Sequence, residues 1–175
     1  MTVEESSYIL LLPVVGALYY KDSRGNEMMI NAGELQMINL PCRESFEISN
    51  PYENDLVNFL QIRIQSGIDT PGTTPLLFRF NLAENKNQLL DINNTGNIVA
   101  SYPYCSIGQF DGREEAVYRM KNSRHGLFVF VIEGAFEVQG RLLHPRDALA
   151  LWDISEPVDL EALSNEAIIF MVEVN

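Results

Sequence analysis

Histidine is scarce in this chain: 175 residues carry two, His125 and His144, in one half and without a carboxylate at metal-ligand spacing. Cysteine is as sparse. Cys42 and Cys105 lie far apart with no Cys-x-x-Cys motif, which argues for reduced packing residues over a disulfide or a zinc site. Basic residues are few, 12 against 24 acidic, and the net charge of −12 repels phosphate backbones and anionic membrane surfaces, so nucleic acid and membrane are not expected partners. The apolar run Tyr8 to Tyr20 follows Glu4 and Glu5 rather than Lys or Arg and is too short to span a bilayer. The chain therefore reads as cytoplasmic, where the Asn93-Asn94-Thr95 glycosylation match is better explained as a turn. Also missing are a Gly-x-Ser-x-Gly elbow, a phosphate-cradling glycine loop, a His-Glu-x-x-His helix and any sustained helical stripe with caps.

What is present is strand and turn. With 46% apolar residues the chain has material for a core. Tyr8 to Leu12 and Val15 to Tyr20 are β-prone, and Pro13 and Gly16 mark an edge, bend or bulge between them. Ser23-Arg24-Gly25-Asn26 and Asn31-Ala32-Gly33-Glu34 read as hairpin turns into Glu27 to Ile30 and Leu35 to Leu40. Leu60, Ile62 and Ile64 alternate with Gln61, Arg63 and Gln65, giving a strand with one wet face. Ser66 to Pro75 loses periodicity and reads as a linker, after which Leu76 to Leu82 and Leu89 to Ile92 are further strands. Pro51 to Leu56 and Ala83 to Gln88 have room for one helical turn each.

The stretch Gly126 to Asp153 is the most structured of all. Leu127 to Ile132 suits a strand buried on both faces, Glu133-Gly134 breaks it, Ala135 to Gln139 alternates, and Pro145-Arg146-Asp147 turns the chain into Ala148 to Trp152. Three antiparallel strands on tight turns are predicted. Short strands at regular spacing throughout give an all-β barrel or sandwich.

The same stretch carries a resemblance. Glu133-Gly134, Phe136 to Gly140, Leu142-Leu143 and Arg146 to Trp152, approached by Ile107 to Glu115 and closed by Glu161 to Met171, resemble the C-terminal cupin of the pirin and quercetinase-like family over roughly residues 102 to 175. Gly16 to Glu27, Ile30 to Met37 and Val57 to Ile64 resemble, in order, three segments of that family's N-terminal cupin. The resemblance implies an all-β pirin-like tandem bicupin of antiparallel RmlC-like barrels. It divides the chain into a partial N-terminal unit, 1–66, linker and bridging strands, 67–101, and a C-terminal cupin, 102–175, with the opening strands of the first unit missing.

Metal-bound members of the family carry a His-x-His and a His-x-Glu pair. Counting along the motifs places these pairs near Thr2 and Glu4 and near Phe46 and Ile48, where only Glu4, or Glu47 after a slip of one residue, is able to coordinate. No metal, cofactor or catalytic residue is therefore expected. The predicted function is a metal-free, non-catalytic binding or regulatory module. The alternative is a quercetinase-like metal-dependent dioxygenase acting on flavonol-like substrates, and a third reading is a structural subunit. Tyr118, Phe128, Phe130, His144 and Trp152 are the candidate lining of a pocket for a small apolar or aromatic ligand, against the simpler reading of the aromatics as core. Asp111, Glu114 and Glu115, interrupted by Arg113, read as a solvated turn. A sheet left open at its edge points to a homodimer or a protein partner.

Overall fold

The turn chemistry sets the strand ends. In the computed structural model, which describes residues 1–66, 74–92 and 103–174, Gly25 and Gly33 take φ of +86° and +84°, the left-handed conformation that glycine adopts without steric cost. Gly25 closes the predicted hairpin between the strands Ala17–Asp22 and Glu27–Asn31, whereas the hairpin predicted at Gly33 is corrected: the strands on either side of it lie in different sheets, so this turn carries the chain from one sheet to the other. The chain divides into two units, Met1–Phe80 and Asn81–Asn175.

The first unit holds strands β1 (Ser7–Val15), β2 (Ala17–Asp22), β3 (Glu27–Asn31), β4 (Glu34–Leu40), β5 (Phe46–Ser49), β6 (Asn58–Gln65) and β7 (Leu76–Arg79). They form two antiparallel sheets, β6-β1-β4-β7 and β3-β2-β5. Gly16, at φ +82°, sends the chain from the first sheet to the second, and Pro13 sits at a register shift between β1 and β6, the bulge its missing N–H requires. Ile9 and Leu11 of β1 and Ile38 and Leu40 of β4 pack on Leu18, Tyr20, Ile30 and Phe46 of the second sheet. Met1 to Val3 run along the β5 side: Met1 and Phe46 exchange main-chain bonds of 2.7 and 2.8 Å, and Arg43 N–H donates to Val3 O at 2.8 Å. β7 covers the β4 edge, where Arg79 Nε donates to Glu34 Oε1 at 3.0 Å.

The second unit holds β8 (Gln88–Asp91), β9 (Cys105–Phe110), β10 (Glu115–Tyr118), β11 (Gly126–Glu133), β12 (Phe136–Val138), β13 (Arg141–Leu143), β14 (Ala148–Leu151), β15 (Val158–Ala162) and β16 (Ala167–Val174). Its sheets are β14-β11-β16-β9-β8 and β10-β15-β12-β13. Between them Phe110 meets Phe136 edge-on, centroids 6.0 Å apart, among Leu127, Val129, Val131, Ile169 and Met171.

The all-β expectation holds. The three-strand reading of Gly126 to Asp153 is corrected, because the segment forms four strands and its first two arms lie in different sheets: β11 pairs with β14 and β16, β12 with β13 and β15. Gly134, at φ +72°, with its Cα packed on Ala167, turns the chain out of one sheet and into the other. Of the two predicted helical turns, only Ala83–Asn85 forms one, a 3-10 turn. Residues 67–101, expected as linker and bridging strands, supply β7 to the first unit and β8 to the second. Most of the Ser66 to Pro75 linker and the Asn93 to Asn97 turn lie outside the described residues. Among the described residues no helix is long and apolar enough to cross a membrane.

Candidate functional site

The interior of the first unit is where the resemblance places metal chemistry. Tyr20 is fully buried there and stacks on Phe46, centroids 6.0 Å apart and planes 24° from parallel. Its hydroxyl donates to Asp22 Oδ2 at 3.1 Å. Asp22, itself buried, also accepts from the main-chain N–H of Arg24 at 3.0 Å and Asn26 at 2.9 Å and from Asn26 Nδ2 at 2.8 Å. That carboxylate is fully engaged in holding the β2–β3 turn. Burial, reinforced by the neighbouring Asp22, drives the Tyr20 phenol well above its ordinary pKa.

A divalent metal needs three or four convergent donors. The counted positions do not provide them: Thr2 and Glu4 are exposed, Phe46 is part of the core, and Ile48 packs against it. Among the described residues no group of three His, Cys, Asp or Glu side chains is placed to hold a metal ion. The donor set does not fit the family's metal. Cys105 is buried, which raises its thiol pKa well above the usual value, and Cys42 is exposed with Sγ 2.9 Å from Glu4 O.

In the second unit the buried polar centre is Glu173, on the inner face of β16 in line with Ala167, Ile169 and Met171. Tyr118 Oη donates to its Oε1 at 2.8 Å, and the main-chain N–H groups of Lys121 and Asn122 donate at 2.5 and 3.2 Å. His125 Nδ1 lies 3.4 Å from Oε2, while its Nε2 is 2.8 Å from Asn122 Nδ2. An Asn122 amide donating to Nε2 leaves the proton on Nδ1, facing the carboxylate. Glu173 thus anchors the loop from Arg119 to His125 over one end of the unit. It is a clamp rather than a free base, since both oxygens already accept. Burial, with Glu173 adding to it, raises the Tyr118 phenol far above its ordinary pKa. Sequence reasoning passed over Glu173. Its readable signal was a lone carboxylate at the inward phase of the apolar run Ala167 to Val174.

The five residues selected as a pocket lining do not line one. Strand alternation separates them. Tyr118 points between the sheets, whereas Phe128 and Phe130 alternate with Leu127, Val129 and Val131 and lie on the opposite face of β11, beside Phe170 and Val172. Trp152 is 64% exposed and shares the Phe128 face, lying over Gly126. His144 is an exposed turn residue whose main-chain N–H donates to Asp147 Oδ2 at 2.8 Å.

A second concentration of charge lies on the outer face of β10-β15-β12. Glu115 and Glu137 both sit directly opposite Glu161, a row of three carboxylates across adjacent strands beside an open groove of about 270 Å³. Arg113 pairs with Glu161 at 2.9 Å and Lys86 with Asp111 at 2.8 Å.

Residues 101–172 match the family model of the quercetinase C-terminal cupin domain. No curated protein matches the chain in sequence. Among solved structures it is similar to YhhW from Escherichia coli, with TM-score 0.79 and 20% identity over 98% of this chain and 73% of that one. The bacterial pirin YhhW in complex with nickel(II), also from Escherichia coli, gives 0.76 and 19% over 99% and 78%. Quercetin 2,3-dioxygenase from Acinetobacter baumannii gives 0.72 and 11% over 97% of this chain and 59% of the enzyme. The fold is a cupin fold, and the resemblance to pirin and quercetinase-like proteins read from the motifs is borne out.

Proposed function

We propose that this chain is a metal-free, non-catalytic member of the pirin-like cupins that acts in the cytoplasm as a binding or regulatory module. The observation that supports this most is the interior of the first unit, where Phe46 and Tyr20 stack in the region to which the family's ligand pair maps. Cupin oxygenases draw their reactivity from the metal, and without convergent donors a barrel has no means of activating dioxygen. Two free thiols suit a reducing compartment.

The second reading, a quercetinase-like dioxygenase, is favoured by the family-model match and by the named activity of the Acinetobacter baumannii neighbour. Metal analysis of protein purified without added metal, combined with a flavonol consumption assay with and without chelator, separates the two. The proposal expects no stoichiometric metal and no consumption. Chelator-sensitive turnover of a flavonol overturns it.

A further inference from the structure

The loop between β10 and β11 has the opposite sign to the chain that carries it. Three of the 12 Lys and Arg residues and one of the two histidines fall within residues 119–125, and none of the 24 acidic residues falls within residues 116–132. An acidic surface is accounted for by solubility, but a local run of cations inside a net charge of −12 is not.

The loop is held from inside. The main-chain N–H groups of Lys121 and Asn122 donate to buried Glu173, His125 Nδ1 faces the same carboxylate, and Met120 packs on the core between exposed Arg119 and Lys121. Asn122 fixes the turn that follows: its Oδ1 accepts from Arg124 N–H at 3.0 Å and its C=O from His125 N–H at 3.1 Å. Lys121 is neutralised locally, with Nζ 2.6 Å from Asp91 Oδ2. Arg119 and Arg124 are exposed, and among the described residues their guanidinium groups have no ion pair or hydrogen bond. Two unpaired guanidiniums on a backbone fixed by a buried carboxylate form a preorganised receptor for anions that accept a planar fork. An aromatic ledge adjoins it, since Trp152 is 64% exposed and its indole lies over Gly126, the residue after His125.

We infer that loop 119–125, with Trp152 beside it, is a docking surface for an acidic segment of a partner protein. Carboxylates of that segment meet Arg119 and Arg124, and an apolar side chain between them lies on the indole. Both arginines and the indole stand on open surface, which an extended chain is able to lie across. A phosphate also fits a guanidinium fork. The field of a chain at −12, however, opposes a ligand in proportion to its charge, and so penalises a nucleic acid far more than a peptide with a few carboxylates. The inference does not depend on the metal reading, because metal content reports on the first unit and this loop belongs to the second.

Titration calorimetry on the full chain tests it, with a synthetic peptide of two glutamates on each side of one phenylalanine as the probe. The same peptide with glutamines, inorganic phosphate and oligothymidylate are the comparisons. The acidic peptide is expected to bind with an affinity that falls as salt rises, to shift the emission of Trp152, the only tryptophan, and to outbind all three comparisons. Arg119→Gln and Arg124→Gln, at side chains with no partner to lose, are expected to keep the circular dichroism spectrum and to weaken binding about fivefold each. Should either variant misfold, the salt dependence and the glutamine peptide decide on the wild-type chain alone. No binding at millimolar peptide, equal binding of the glutamine peptide, or indifference to salt overturns the inference. So does undiminished affinity in both folded variants, or binding that leaves Trp152 emission unmoved. Tighter binding of phosphate or oligothymidylate than of the peptide overturns the choice of partner.

Discussion

The indole of Trp152 lies over Gly126, so close that a Cβ atom placed on Gly126 falls 2.8 Å from Trp152 Nε1. Glycine at the start of β11 is what lets the ring lie flat across the strand. Because the indole is largely exposed it has room to tip away, and Gly126→Ala is expected to change stability by no more than about 1 kcal/mol. The emission of Trp152, the only tryptophan in the chain, is expected to shift to the red. A large loss of stability with unchanged fluorescence would contradict this arrangement.

Gly134 and Gly140 give the opposite contrast. Both have positive φ, +72° and +69°, but a Cβ at Gly134 meets Ala167 Cα at 2.8 Å, whereas one at Gly140 meets nothing within 4 Å. Gly140→Ala is expected to cost about 1 kcal/mol, the strain of the left-handed conformation alone. Gly134→Ala is expected to cost about 2–4 kcal/mol, since backbone must also move. Equal melting temperatures for the two variants would refute the steric account.

Removing the Glu173 side chain strands three donors: the Tyr118 hydroxyl and the amides of Lys121 and Asn122. Glu173→Ala is expected to destabilise by about 3 kcal/mol or more, against about 1 kcal/mol for Tyr118→Phe. Hydrogen exchange provides the local readout. Protection of the Lys121 and Asn122 amides is expected to fall in Glu173→Ala and to persist in Tyr118→Phe.

Tyr20 and Tyr118 both have phenol pKa values raised by burial and by a neighbouring carboxylate. In the unfolded chain these phenols ionise near their ordinary value of about 10, while the folded state keeps their protons to higher pH. Above that value the unfolded state therefore binds fewer protons, and stability, intact below it, falls as pH rises toward the folded pKa values. Denaturant melts along an alkaline series are expected to show this limb, and Tyr20→Phe is expected to flatten it. An unaltered slope in that variant would exclude Tyr20 as a source.

Glu161 has a glutamate directly opposite on each side, Glu115 and Glu137. Like charges in that relation are destabilising. Glu137→Lys is expected to raise stability by about 0.5–1 kcal/mol, with the gain shrinking as salt is added. A salt-independent change, or a loss, would show that the carboxylates do not repel at this spacing.

Much of this protein follows from local chemistry. Gly25, Gly33 and Gly16 marked where strands end and the chain turns, Pro13 marked a bulge, and the alternation of Leu60, Ile62 and Ile64 marked a strand with two unlike faces, because backbone conformation at a turn and side-chain phase along a strand depend on neighbours a few residues away; that the turns at Gly33 and Gly16 join different sheets was not legible there. The cupin fold, by contrast, was implied by the resemblance that the ordered motifs carry to the pirin and quercetinase-like family. Local chemistry could not say that β11 and β12 part into different sheets, that Phe128 and Tyr118 point to different faces, or that Glu173 closes on a loop some fifty residues upstream. Those depend on which strands pair across long sequence separations, and a change of one residue in phase moves a side chain from the interior to the outside. The scarcity of histidine was a property of the sequence; the stacking of Tyr20 on Phe46 and the burial of Glu173 against Tyr118 were decided only when the sheets came together.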